Sequence, residues 1–126
     1  MRSIDAKIID ALNGCNGEGV KNLSCRDRVV VDGNTSKYYL WGSLLFWHDA
    51  DNIYYFSGRG WSTSTTKSRL SRMLGSFCNA GIYQKNWSWF LHWNGKQYPV
   101  DTASIFMLKD KKLYRLGAHA EEVNPL

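Results

Sequence analysis

Residues 53–100, IYYFSGRGWSTSTTKSRLSRMLGSFCNAGIYQKNWSWFLHWNGKQYPV, contain the change of pattern that decides the fold. Ile53 to Ser57 is an aromatic, strand-like run. After Gly58-Arg-Gly-Trp61 and the hydroxyl run Ser62 to Thr66, the period changes, and Leu70, Met73, Leu74 and Phe77 fall at i, i+3, i+4 and i+7. That spacing predicts an amphipathic helix over Lys67 to Phe77, with Arg69 and Arg72 turned toward solvent. Gly75 weakens the last turn, so the helix reads as short. Alternation then returns. Gly81 to Lys85 and Trp87 to Trp93 read as strands, with Trp87, Trp89, Leu91 and Trp93 on one face and Ser88, Phe90 and His92 on the other. Asn94-Gly95 suits a two-residue type I′ hairpin leading into Lys96 to Val100. Pro99 has no N–H to donate, which puts its strand at an edge or a terminus.

Toward the N-terminus, Lys37 to Trp41 and Ser43 to His48 are aromatic-rich runs split by Gly42, and the polar turn 49–52 separates them from Ile53. Arg28 to Val31 is a β-branched run ending in the turn signal Asp32-Gly33-Asn34, so these segments form an antiparallel meander. Cys15 to Cys25 is rich in Gly and Asn and reads as a loop. Ser3 caps a short helix carrying Ile4, Ile8, Ile9 and Leu12, with Asn13-Gly14 as its stop. Toward the C-terminus, Ser104 to Leu108 and Lys112 to Leu116 around Lys109-Asp-Lys111 read as a last hairpin, with the chain loosely held beyond Gly117. The expected architecture is a single α+β domain of 126 residues: residues 1–27 a helix and loop, 28–100 a β-β-β-α-β-β body, and 101–126 a hairpin and tail.

The net charge is +5, and it is unevenly placed. Residues 1–50 hold six basic and six acidic side chains, and residues 101–126 hold four of each. The excess therefore lies in residues 51–100, where Asp51 faces Arg59, Lys67, Arg69, Arg72, Lys85 and Lys96. All six tryptophans, from Trp41 to Trp93, lie in or beside the same stretch. Coincident positive charge and aromatic density point to a binding surface.

Several classes are excluded. Met1 to Leu12 is broken by Asp5, Lys7 and Asp10 and is no export signal. No window offers the roughly 18 apolar residues of a membrane span. Cys15, Cys25 and Cys78, odd in number and widely spaced, suit neither a disulfide framework nor a CxxC metal site and read as reduced cytoplasmic thiols. His48 with Asp49 and Asp51 sits in a turn signal where Asp and Asn serve backbone geometry. Cys78 with His92, and His119 with Glu121 and Glu122, match no catalytic spacing. No enzyme, cofactor or metal is expected.

From Ile53 to Pro99 the chain resembles a widespread group of small tailed-bacteriophage proteins. In that group a strand leads to Gly-Trp, a Thr-rich segment, a basic helix opening Thr-Thr-Lys-x-Arg, and a hairpin rich in Trp and Phe. The matching residues are Gly60-Trp61-Ser-Thr63-Ser-Thr65-Thr66-Lys67-Ser-Arg69-Leu70, then Tyr83-Gln-Lys85-Asn-Trp87-Ser-Trp89-Phe90 and Asn94-Gly95. Where the group often carries Asn after the first helical Leu, this chain has Ser71. The resemblance implies a phage origin, hence the host cytoplasm, and the strand–helix–hairpin order; it implies no mechanism.

Two constellations follow. Helix N-termini present unpaired N–H groups, so the Gly58 to Lys67 entry reads either as an anion cradle involving Gly60, Thr65 and Thr66, or as a Ser/Thr cap with Trp61 anchoring the loop in the core. The aromatic hairpin with Lys85 and Lys96 reads either as a base-stacking surface or as a core face against the helix. The expectation is a phage accessory protein that binds nucleic acid through Arg59, Trp61, Lys67, Arg69, Arg72, Lys85, Trp89 and Lys96. The alternatives are inhibition of a host protein, such as a CRISPR complex or the transcription machinery, and capture of a nucleotide at the helix entry.

Overall fold

The computed structural model describes residues 3–49 and 52–126. Its elements are α1 (Ser3–Leu12), β1 (Gly19–Asn22), β2 (Asp27–Asp32), β3 (Thr35–Leu40), β4 (Ser43–His48), β5 (Tyr54–Phe56), α2 (Ser64–Cys78), β6 (Gly81–Lys85), β7 (Ser88–Trp93), β8 (Lys96–Val100), β9 (Ile105–Lys109), β10 (Lys112–Leu116) and β11 (Ala120–Val123). The α+β class is as expected. The expected cap at Ser3 rests on a side chain outside the described residues, as does Asp51 of the His48 cluster.

The strands form two antiparallel sheets. The larger runs β1-β2-β3-β4-β5-β9-β10-β11 and the smaller β6-β7-β8. Helix α2 and the small sheet are thus an insertion in a meander, and the meander resumes where β5 pairs with β9, with Phe56 opposite Phe106. The two ends of the insertion are tied together. The Gly60 N–H donates to the Thr102 carbonyl at 2.7 Å, and the Ser57 hydroxyl donates to the Ala103 carbonyl. A Cβ on Gly58 would stand 2.7 Å from the Thr102 carbonyl oxygen, so this approach requires glycine.

One continuous core joins both sheets and both helices. Tyr38, Phe46, Phe56 and Phe106 come from the large sheet, Ile8 and Leu12 from α1, Leu70, Met73 and Leu74 from α2, and Trp89, Leu91 and Trp93 from β7. The predicted apolar face of α2 is therefore the buried one, and the alternation of β7 is as read, with Phe90 half-buried on the other face. Pro99 lies on β8, an edge strand.

Five expectations are corrected. Helix α2 does not stop early at Gly75; it runs from Ser64 to Cys78 because Thr63 caps its start and Asn79, left-handed at φ 54°, closes its end onto the Leu74 carbonyl. The Cys15 to Cys25 segment is not all loop, since β1 lies within it along β2. The tail is not loose. β11 pairs with β10, Val123 is buried, and the Leu126 N–H reaches the Gln97 carbonyl. Trp41 and Trp87 leave their predicted strands for two-residue turns, Trp41-Gly42 and Asn86-Trp87, with φ of 50° at Trp41 and 67° at Trp87. Finally, Arg69 is not solvent-facing but 1% exposed. Helix α2 packs against β6 and also against α1, so its buried stripe widens to take in Thr66 and Arg69.

Ser71 acquires a definite role. Its hydroxyl donates to the Ile82 carbonyl at 2.9 Å and accepts from the Ile82 N–H at 3.0 Å, so α2 satisfies the outer backbone edge of β6 as a neighbouring strand would. Ser71→Ala, which strands both groups, is expected to lower stability by about 1–3 kcal/mol, while Ser71→Asn, whose amide offers an NH2 donor group and a carbonyl acceptor, retains most of it. Urea denaturation of the two variants checks this, and equal losses would contradict it.

Candidate functional site

Helix α2 begins at a junction of turns. Gly58 to Trp61 closes with the Trp61 N–H on the Gly58 carbonyl at 2.8 Å, with Arg59 at φ 52° and Gly60 at φ 82°. Thr63 follows in extended conformation, its hydroxyl accepting from the Thr66 N–H at 3.2 Å. The Thr cap is therefore present, but Trp61 is no core anchor, for it is 55% exposed. The cradle is largely occupied: the Gly60 N–H serves Thr102, the Thr66 N–H serves Thr63, and Thr66 is buried. Of its three residues, Thr65, half-buried in the first turn, and Thr66 line an opening.

That opening is a cleft of about 240 Å³ between the helix entry and the β3–β4 turn. Trp41 and Trp61 form its rims, Leu40 and Leu45 its apolar floor, and Thr63, Thr65 and Thr66 the helix side. Among the described residues Arg26 is the ionisable one in its walls, and its Nε lies 3.6 Å from the buried Asp27 carboxylate. The Trp41 N–H donates to the Arg26 carbonyl at 2.8 Å, which fixes the turn beside the β1–β2 loop. Trp41 is 68% exposed. Neither Trp41 nor Arg26 stood out in the sequence. The available signal was Gly42, which suits the second position of a type I′ turn and so moves Trp41 off the strand.

On the other side of the first helical turn, the Lys67 ammonium donates to the Gln84 side-chain carbonyl at 3.1 Å. This contact brings the helix entry to the end of β6, where Lys85 is exposed and Trp87, 92% exposed, occupies the hairpin turn. The first turn of α2 is thus flanked by Trp41, Trp61 and Arg26 at the cleft and by Lys67, Lys85 and Trp87 toward the end of β6.

The remaining candidates lie elsewhere. Arg59 donates from Nε to the Leu44 carbonyl at 2.8 Å and sits 5.7 Å over the Trp47 ring, outside the cleft walls. Lys96 pairs with Trp93, five residues along β7 from the Ser88 that pairs with Lys85, about 17 Å away. Arg72 lies on the α1 side, its Nε 3.9 Å from Asp5. Trp89 is 3% exposed in the core and offers no stacking face.

Arg69 is locked in a buried ion-pair network. Its Nε lies 3.0 Å from one Asp27 oxygen, and Nη1 lies 3.4 Å from Asp5. Asp27 also accepts from the Tyr38 hydroxyl and from Ser24. Burial pushes the Asp27 carboxyl up, but hydrogen bonds from Arg69, Ser24 and Tyr38 outweigh it and hold the group below its ordinary value. The basic excess of residues 51–100 is therefore partly neutralised by acids of the N-terminal segment.

Burial pushes the Cys78 thiol up to about 12, the reverse of nucleophile activation. The His48 ring packs among Phe46, Tyr54 and Phe77. Among the described residues no group of three or more His, Cys, Asp or Glu is placed to hold a metal ion, and no helix is long and apolar enough to cross a membrane.

Fold and site define the class: a small antiparallel α+β protein in which a helix and a three-stranded sheet interrupt a larger meander and leave tryptophans exposed at turns. The chain belongs to the Kyanoviridae Gp96 protein family, which matches residues 1–111, and it is a phage protein. The match extends beyond Ile53 to Pro99 to include α1 and β1 to β4, and it stops at the β9–β10 turn. No curated protein and no solved structure matches the chain.

Proposed function

We propose that this phage accessory protein binds nucleic acid along the band running from Trp41 and Trp61 through Lys67 to Lys85 and Trp87. The observation that carries the reading is the Lys67–Gln84 contact, which joins two sets of exposed indoles and cations that are distant in sequence. Exposed aromatics stack bases, and neighbouring Lys and Arg neutralise the phosphates. The surface differs from the one the charge count suggested. Arg26 joins it, and Arg69 and Arg72 leave it.

Salt dependence tests this directly. With three phosphates neutralised by Arg26, Lys67 and Lys85, affinity for a single strand falls about 20-fold between about 50 and 200 mM salt, and Lys85→Ala reduces the logarithmic slope by about 0.7. Fluorescence anisotropy with a labelled oligonucleotide measures both. A slope near zero, or no binding at low salt, would remove the reading.

A second reading draws on Trp87, whose indole is 92% exposed on a tight turn. Such a tryptophan is a typical docking anchor for a protein, so inhibition of a host protein remains the competing function. Co-purification of a host protein through nuclease and high salt would favour it.

A further inference from the structure

We infer that the cleft between Trp41 and Trp61 receives one unpaired base of a single-stranded nucleic acid, so that the protein selects unpaired strands over duplex. This deepens the proposed function and rests on it.

Three observations carry the inference. The first is size. Pockets for drug-sized ligands run about 300–1,000 Å³, whereas this cleft measures about 240 Å³ and suits a single flat ring system. The second is chemistry. Its rims are two exposed indoles, its floor is apolar, and its charged wall is Arg26, whose side chain is 44% exposed with its Nε 3.6 Å from the buried Asp27 carboxylate. A base stacks against indole, and its phosphate meets the guanidinium; a duplex presents its bases already stacked and paired.

The third is backbone strain. Trp41 occupies a left-handed turn position, φ 50°, that Gly or Asn adopts at lower energy, while most of its ring lies outside the core. A bulky side chain held at such a position is a mark of functional use. Trp41 contributes to the cleft a flat face that the turn itself does not need.

The experiment compares three labelled probes of equal length: an oligothymidylate single strand, a duplex, and a strand of abasic sites with the same phosphates. The wild-type protein is expected to bind the base-bearing strand about 5- to 150-fold tighter than the abasic one, the range for one stacked base. Trp61→Ala and Trp41→Gly are each expected to erase most of that advantage, weakening the base-bearing strand far more than the abasic one. Trp41→Gly relieves the turn, so its melting temperature stays at or above wild type, and lost binding cannot be attributed to unfolding. Equal affinity for base-bearing and abasic strands, or for single strand and duplex, overturns the base receptor while nucleic-acid binding stands. No binding to any probe at low salt overturns both.

Discussion

Arg69→Met is expected to lower the free energy of unfolding by about 3–5 kcal/mol at pH 7, the largest loss expected of any charged residue here. The guanidinium is 1% exposed and shared by two carboxylates that are equally buried, Asp27 and Asp5. One Asp5 oxygen has no hydrogen-bond partner among the described residues, with Arg72 Nε at 3.9 Å as its nearest ion-pair contact. Removing Arg69 therefore leaves two desolvated carboxylates without the cation they share, Asp27 keeping Tyr38, Ser24 and Arg26 and Asp5 keeping the more distant Arg72. Truncating a partner costs far more than the pair contributes, because the remaining charge keeps its full desolvation penalty.

The pH dependence has a definite sign. In the wild type the folded Asp27 titrates below its ordinary value of 3.8, so its contribution is fully present above that pH and is lost as pH falls through the folded value. In Arg69→Met the burial that raises Asp27 is no longer opposed by the guanidinium. Its folded value shifts upward, so the variant keeps less of the Asp27 contribution at neutral pH than the wild type. The gap between the two proteins is expected to be wide at pH 7 and to narrow toward pH 3. Urea denaturation at both pH values measures it, and a gap that stays constant would exclude the network as its source.

Trp89→Ala is expected to cost about 3–5 kcal/mol, whereas Trp87→Ala, two residues away on the same hairpin, changes stability by no more than about 0.5 kcal/mol. Trp89 is 3% exposed, and its ring edge stands 3.2 Å from where a Gly58 Cβ would lie, so it fills the space beneath the turn that starts the insertion. Trp87 is 92% exposed and packs against little. Thermal melts separate the two, and comparable losses would mean that the hairpin tip is packed. Because Trp87→Ala leaves the fold intact, its effect on oligonucleotide binding reads the surface alone.

Much of the local structure is legible in the residues. The period-3.6 run from Leu70 to Phe77, the alternation of β7 and the Asn94-Gly95 turn, left-handed at both positions, all appear where the sequence places them. The last hairpin does too, turning at Asp110-Lys111. The site was legible only in part. The helix entry, Lys67, Lys85 and Trp61 were visible as a basic aromatic segment, but Trp41 and Arg26 come from turns 20 and 35 residues before Trp61, and no local pattern connects them to it. Arg69 was misplaced because a helical period shows which residues share a face, not how many neighbours cover the helix.

By itself, then, the sequence determined the elements, because backbone periodicity and turn chemistry act over a few residues, and it determined that positive charge and tryptophan concentrate around α2. Tertiary structure decided where each of those side chains ended up. Trp89 and Arg69 were buried because the small sheet and α1 close over them. Trp41, Trp61 and Trp87 were left outside because their backbones turn away from both sheets. Burial depends on elements far apart in the chain meeting in space, and that meeting paired part of the basic excess with Asp5 and Asp27 and left a cleft of about 240 Å³ between Trp41 and Trp61.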